Sequence, residues 1–161
     1  DVTVAESGAI IEYLIDTYGP QFATQKGTEP HRQSNYWLHF AEGTLMPPIV
    51  AKLVFDKVRM NAKPFFIKII ANKISDKVVG GYFGPNLTVS MAFINTHLSK
   101  NAWFAGEFMS GSDFQMSFPL ETMVASGGAK QYPAIEAYIS KIHQLPAYKK
   151  ALVTGGQYDY A

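Results

Sequence analysis

The 161 residues contain no cysteine. That excludes disulfides, cysteine-ligated zinc and a cysteine nucleophile within this chain, and with them a small secreted fold held by disulfide staples. An excess of charge of one sign is lacking too. Fourteen Lys and Arg stand against thirteen Asp and Glu, a net charge of +1, so there is no electrostatic case for nucleic acid or an anionic membrane as partner. No apolar run reaches the roughly 20 residues that span a bilayer, and no secretory leader is visible. The histidines, His31, His39, His97 and His143, show no metal-ligand spacing and no H-E-x-x-H, so no metal site is expected. Phosphate loops, the dinucleotide G-x-G-x-x-G and the G-x-S-x-G elbow are all missing.

What the chain has is apolar bulk. Hydrophobic residues make up 47% and aromatics 14%, ample for a packed core and against disorder. The length suggests one domain, or one and a fraction. Asp1 to Ala5 read as a strand end running into a helix, as if the chain began in mid-motif, and a piece of a longer or processed protein is expected. Ile10, Tyr13, Leu14 and Tyr18 follow helical spacing after Glu6-Ser7. Gly19-Pro20 ends that helix, and residues 19–27 read as a linker.

Residues 28–152 then read as helix after helix. Thr28-Glu29-Pro30 is a helix start with proline tolerated in the first turn. The helix should run to about Met46, where Pro47-Pro48 breaks or kinks it before helix resumes to Met60. A helix from Lys63-Pro64 carries Phe65, Phe66, Ile69, Ile70 and Ile74 on one side and Lys68, Lys73 and Lys77 on a solvated face. Residues 80–86 form a Gly/Pro break. Leu87, Met91, Ile94 and Leu98 repeat at helical spacing. Pro133 and Pro146 each open a further helix, and a loose tail follows from residue 153.

The strongest local signal is Ser110-x-x-Asp113. A serine that caps the amide three residues on, and an aspartate that reaches back to the serine amide, satisfy two orphan donors at once. Met109 and Phe114 occupy the two positions of a hydrophobic staple. Phe114, Met116, Phe118, Leu120, Met123 and Val124 make the helix apolar nearly all round, which predicts a central, buried element kinked at Pro119. Loss of either Ser110 or Asp113 is expected to cost about 1 kcal/mol, up to about 2.

The best place for chemistry is Glu6-Ser7. Free amides at the start of the first helix and its positive end suit an anion, and Ser7 adds a hydroxyl. Glu6 adds a carboxylate that can pair with an ammonium. Together these match the head of an α-amino acid, although an ordinary cap without ligand fits the local sequence as well.

Glu6-Ser7 with Ala9-Ile10 and Tyr13-Leu14 resembles the E-S-x-A-I-x-x-Y-L signature of glutathione S-transferases. Phe104 to Glu107 with the Ser110/Asp113 box, and Tyr132-Pro133-Ala134-Ile135 through Leu145-Pro146-Ala147-Tyr148, resemble the capped helix and last helices of that family. Asn35 to Pro48 and Met116 to Leu120 look closest to its fungal and bacterial branch, which includes a yeast transferase associated with the endoplasmic reticulum.

The resemblance implies an all-α C-terminal helical domain (28–152), preceded by the last strand-helix remnant of a thioredoxin-like α/β domain (1–18), a linker (19–27) and followed by a tail (153–161). It implies a cytoplasmic detoxification enzyme, with membrane association left open, that conjugates the thiolate of glutathione, its co-substrate, to hydrophobic electrophiles. A homodimer is implied, with the helices after Glu6 and Thr28 at the interface. Glu6 and Ser7 would bind the γ-glutamyl end, and Asn35 would reach the partner subunit's glutathione. His39, Glu42 and Met46 would line the electrophile pocket, and Ser110 and Asp113 would be structural. No residue of this chain is expected to stabilise the thiolate, so the chain alone is expected to be inactive. Two alternatives stay open: a non-catalytic interaction module, and a glutathione-dependent peroxidase or reductase of the same family.

Overall fold

The computed structural model describes residues 2–160. The outermost residues of the expected α/β remnant and of the tail, Asp1 and Ala161, lie outside the described residues. Eight α-helices account for most of the chain: α1 (Ser7–Tyr18), α2 (Glu29–Phe40), α3 (Met46–Asn61), α4 (Phe65–Val78), α5 (Gly84–Leu98), α6 (Gly111–Ala125), α7 (Pro133–Gln144) and α8 (Pro146–Gly155). Among the described residues there is no strand, only an isolated bridge between Trp103 and Gly106. Residues 2–5, expected as a strand end, carry no regular structure. A strand has nothing to hold it without a neighbour to complete its ladder. Among the described residues no helix is long and apolar enough to cross a membrane.

The two prolines expected to break or kink a helix do not stop it. Thr28 caps α2, its hydroxyl accepting the His31 amide at 3.4 Å. The helix then widens into a π-turn over Ala41–Leu45, where the Met46 amide reaches back to the Ala41 carbonyl, and continues as α3. Pro47 and Pro48 fall in the first turn of α3, where a missing N–H is tolerated; inside a regular helix one proline costs about 3 kcal/mol. The same device replaces the break expected at residues 80–86. A π-turn over Val79–Phe83 joins α4 to α5, with Pro85 again in the first turn. Wide turns of this kind are rare and often sit near functional sites.

Helix α6 is the centre of the molecule, packed on α1, α2 and α7. Met116 and Leu120 are fully buried among Trp37, Leu45, Met91, Ile94, Phe104, Ile135 and Ile139. Its entry is fixed by the expected capping box. The Asp113 carboxylate accepts the Ser110 amide at 2.8 Å, the Phe104 amide at 3.0 Å, the Tyr138 hydroxyl at 2.8 Å and the Ser110 hydroxyl at 3.3 Å. Burial pushes the Asp113 carboxyl up, opposed by these donors. Burial and the nearby Asp113 charge push the Tyr138 phenol well up, so it remains a donor. Phe114, on the staple position, packs edge-on against Phe22, ring centres 5.1 Å apart.

Tertiary packing chose different faces from those suggested by spacing. In α1 the inward residue is Ile15, while Ile10, Leu14 and Tyr18 are exposed. Ile11 and Ile15 lie over Gly111, where a Cβ would come within 3.0 Å of Ile15 Cδ1. A side chain at 111 would make Ile11 and Ile15 give by a few tenths of an ångström. In α4 the inward positions are the small residues Ala71 and Ser75, and Phe65, Phe66, Ile69, Ile70 and Ile74 all remain exposed. The tail is not loose. Tyr158 donates to the buried Glu121 of α6 at 2.6 Å, and His143 bonds to the same carboxylate at 3.0 Å.

Candidate functional site

The site begins at a backbone feature. Glu6, the residue ahead of α1, has φ 72° and ψ 125°, the one positive-φ residue other than glycine among those described. A bulky residue there is strained and persists only where its surroundings hold it, a common mark of functional sites. No side chain caps this end of α1. The amides of Ser7, Gly8 and Ala9 precede the first helical bond, from the Ile10 amide to the Glu6 carbonyl at 2.9 Å. They carry the positive end of the helix and are free to take an anion.

Two further elements bring side chains to this end. Ser7 Oγ donates to Glu42 Oε1 at 3.2 Å. Gln115 Nε2, from α6, donates to Ser7 Oγ at 2.8 Å and to Glu42 Oε1 at 2.6 Å. The triangle therefore joins the first residue of α1, the π-turn and the central helix. Gln115 is only 5% exposed, and its other amide atom, Oε1, is buried without a partner. A buried acceptor left open is costly, and a native structure keeps few of them.

The grouping of His39, Glu42 and Met46 was implied by the family resemblance, with the three about a turn apart on one helix. The π-turn changes that spacing between them. Glu42 bonds to Ser7. His39 is exposed, and Met46 is half-buried with its amide closing the π-turn. Asn35 lies elsewhere. It bonds to His31 Nε2 at 3.3 Å, while His31 Nδ1 meets Thr24 Oγ1 at 3.0 Å. Both line a cleft of about 320 Å³ with Glu12, Asp16 and Lys26. Ser110 and Asp113 are in the core, where Ser34 also bonds to Ser110 at 3.4 Å. Among the described residues no cluster of three or more potential metal ligands forms.

Gln115 had no place in the sequence reading. Its signal was present: a polar side chain in a helix that is apolar nearly all round has to find a partner or leave one open. Glu121, also on α6, carries the same signal and serves the tail. What the Glu6-Ser7 site can do chemically follows from its parts. Amides, helix end and Ser7 hydroxyl suit a carboxylate. The carboxylates of Glu6 and Glu42 suit an ammonium.

No family model matches the chain. It is 31% identical over 152 residues to glutathione S-transferase 3 of Schizosaccharomyces pombe, covering 93% of this chain and 62% of that protein. It is 30% identical over 149 residues to glutathione S-transferase 1 of Saccharomyces cerevisiae, covering 90% of this chain and 64% of the yeast protein. The chain thus spans a little under two thirds of the length of these curated relatives. Its fold matches the crystal structure of a glutathione transferase from Phanerochaete chrysosporium in complex with oxidized glutathione, with TM-score 0.73 and 21% identity over 96% of this chain and 67% of that one.

Proposed function

We propose, since the chain belongs to the glutathione S-transferase family, that the whole protein binds glutathione, holds it as thiolate and adds it to apolar electrophiles. Glu6 and Ser7 take the γ-glutamyl end. Its carboxylate lies on the α1 amides and the Ser7 hydroxyl, and its ammonium faces acidic side chains. The observation that carries this reading is the uncapped, strained start of α1, with Ser7 already tied to Glu42 and Gln115. The Phanerochaete chrysosporium transferase that shares the fold has oxidized glutathione bound, which supports the same ligand class here.

In this proposal residues 1–18 close a thioredoxin-like glutathione-binding domain and residues 28–152 form the helical domain beside it. We assign the group that stabilises the thiolate to the part of the relatives' length that this chain does not span. Catalysis then comes from lowering a thiol pKa from about 8.5 and from proximity of thiolate and electrophile. The conserved number of bonds at Ser7 helps: its hydroxyl, now given to Glu42, turns to the incoming carboxylate.

We further propose a homodimer of the whole protein. The support is the apolar surface left open on α3 and α4, which includes Val50, Val54 and Val58 of α3 and Phe66, Ile70 and Ile74 of α4. Exposed apolar surface on this scale marks an interaction site. Light scattering of the whole protein checks it, and a monomer at micromolar concentration counts against it.

The ligand assignment is tested on immobilised glutathione. The whole protein is expected to be retained and released by free glutathione, and Glu6→Ala to be retained poorly. Absence of retention, or retention unchanged by Glu6→Ala, refutes the assignment. A chromogenic electrophile then tests conjugation.

A further inference from the structure

We infer that the cleft between α8 and the C-terminal tail binds a small alkylammonium, with the Glu121 carboxylate as its charge partner and the rings of Tyr148 and Tyr158 as its walls. This does not rest on the glutathione reading, because none of these residues belongs to the cluster at the start of α1.

Three observations carry it. The first is the carboxylate. Glu121 of α6 is only 3% exposed, and it lines a cleft of about 280 Å³ with Tyr148, Ala151, Leu152, Gln157 and Tyr158. Its Oε2 accepts the Tyr158 hydroxyl at 2.6 Å, and its Oε1 meets His143 Nε2 at 3.0 Å. An ionised carboxyl offers about four acceptor positions, so roughly half remain for a ligand. Among the described residues none that lines the cleft is positively charged, and His143 brings a charge only when protonated. The α8 residues turned to the cleft, Tyr148, Ala151, Leu152 and Gly155, follow i, i+3, i+4, i+7 spacing. That face excludes Lys149 and Lys150, which are exposed. A buried carboxylate held by neutral donors draws a cation.

The second observation is aromatic. Tyr148 stacks on His143 with ring centres 4.7 Å apart, and its hydroxyl is buried with no partner. Burial, and then the neighbouring Glu121, push the phenols of Tyr148 and Tyr158 up, so both keep their protons and add no competing charge. Their rings are faces that attract a cation, and a phenol oxygen has lone pairs for an N–H. The third observation is room. Gly155 and Gly156 also line the cleft, and a Cβ at either would meet no atom within 4 Å. Gly156, at φ 82°, turns the chain so that Tyr158 returns to α6. Ala151 and Leu152 leave an apolar wall for the alkyl group. The volume lies at the small end of ligand pockets, which suits a short chain.

Calorimetry on the whole protein tests this with n-pentylammonium, n-pentanol and pentanoate, which share a chain length and differ in the head. Pentylammonium is expected to bind roughly ten- to hundredfold more tightly than pentanol, the range for a charge-assisted bond, and pentanoate not at all. Saturating glutathione should leave that affinity unchanged. Glu121→Gln keeps the shape and an acceptor for Tyr158 but loses the charge, and the preference for pentylammonium over pentanol should fall to within a few-fold of one. Ala151→Trp fills the cleft from an exposed position and should abolish binding with an unchanged melting temperature. If Glu121→Gln fails to fold, Ala151→Trp decides alone. The inference is overturned if pentylammonium does not bind at millimolar concentration, if it binds no better than pentanol, if glutathione displaces it, or if Ala151→Trp binds it as wild type does.

Discussion

Asp113→Ala is the sharpest test of how this fold is held. Local reasoning about a capping box sets the loss at about 1 to 2 kcal/mol. The structure raises it. Asp113 has no exposed surface and its carboxylate accepts from the amides of Phe104 and Ser110 and from the hydroxyls of Tyr138 and Ser110. Removing it strands two backbone amides and a phenol in the core, each worth about 1 to 3 kcal/mol when left unpaired. Partial relaxation and water entry reduce the sum, so the expected loss is about 3 to 5 kcal/mol, a large share of the roughly 5 to 15 kcal/mol of a typical domain. Urea unfolding followed by far-UV circular dichroism measures it. Tyr138→Phe removes a single donor and should cost about 1 kcal/mol. In the Asp113→Ala background the same change should cost almost nothing, because the phenol has already lost its partner. Asp113→Ala within about 1 kcal/mol of wild type would refute the hub, as would additive losses in the double variant.

His97 sits against Trp37 and Phe104 with its Nε2 donating to the Phe104 carbonyl at 3.1 Å, and burial holds its pKa below the usual value. Its folded pKa lies below its unfolded one, so its contribution is full above about pH 6.5 and is lost as the pH falls from there toward the folded value. The urea midpoint of wild type should therefore fall more steeply than that of His97→Asn between pH 7 and 5; parallel curves would argue against it. Tyr158→Phe removes the 2.6 Å bond to Glu121, and hydrogen exchange over residues 156–160 should speed up while α6 stays protected; unchanged exchange would mean the phenol does not anchor the tail. Gly111→Val places side-chain atoms where Ile15 Cδ1 already lies 3.0 Å from an added Cβ, and an overpacking loss of about 1 to 3 kcal/mol is expected by thermal melt.

Much of the helical order was legible because its signals are local. The capping box at Ser110, the proline starts at residues 30, 133 and 146, and the periodic run from Leu87 to Leu98 each depend on residues within a turn or two. The faces were less legible. Ile10, Leu14, Ile70 and Ile74 have the spacing of a core stripe and lie exposed, while Gly111, Ala71 and Ser75 sit at the contacts. Spacing says that a helix has two faces, but which one is buried depends on what packs against it. The break expected over residues 80–86 did not form, and the disturbance expected at Pro47-Pro48 took the form of a wide turn, for a related reason. A proline excludes one regular bond, and a wide turn is an alternative to stopping when the helices on both sides are held by the core.

The sequence by itself determined that the chain is helical and that α6 is its centre. Each follows from backbone chemistry that neighbouring residues decide. Only the tertiary structure decided that Glu42 leaves its helical neighbours for Ser7, and that Gln115 reaches the same point from 108 residues away. No pairwise spacing in the sequence records where the central helix will place an amide.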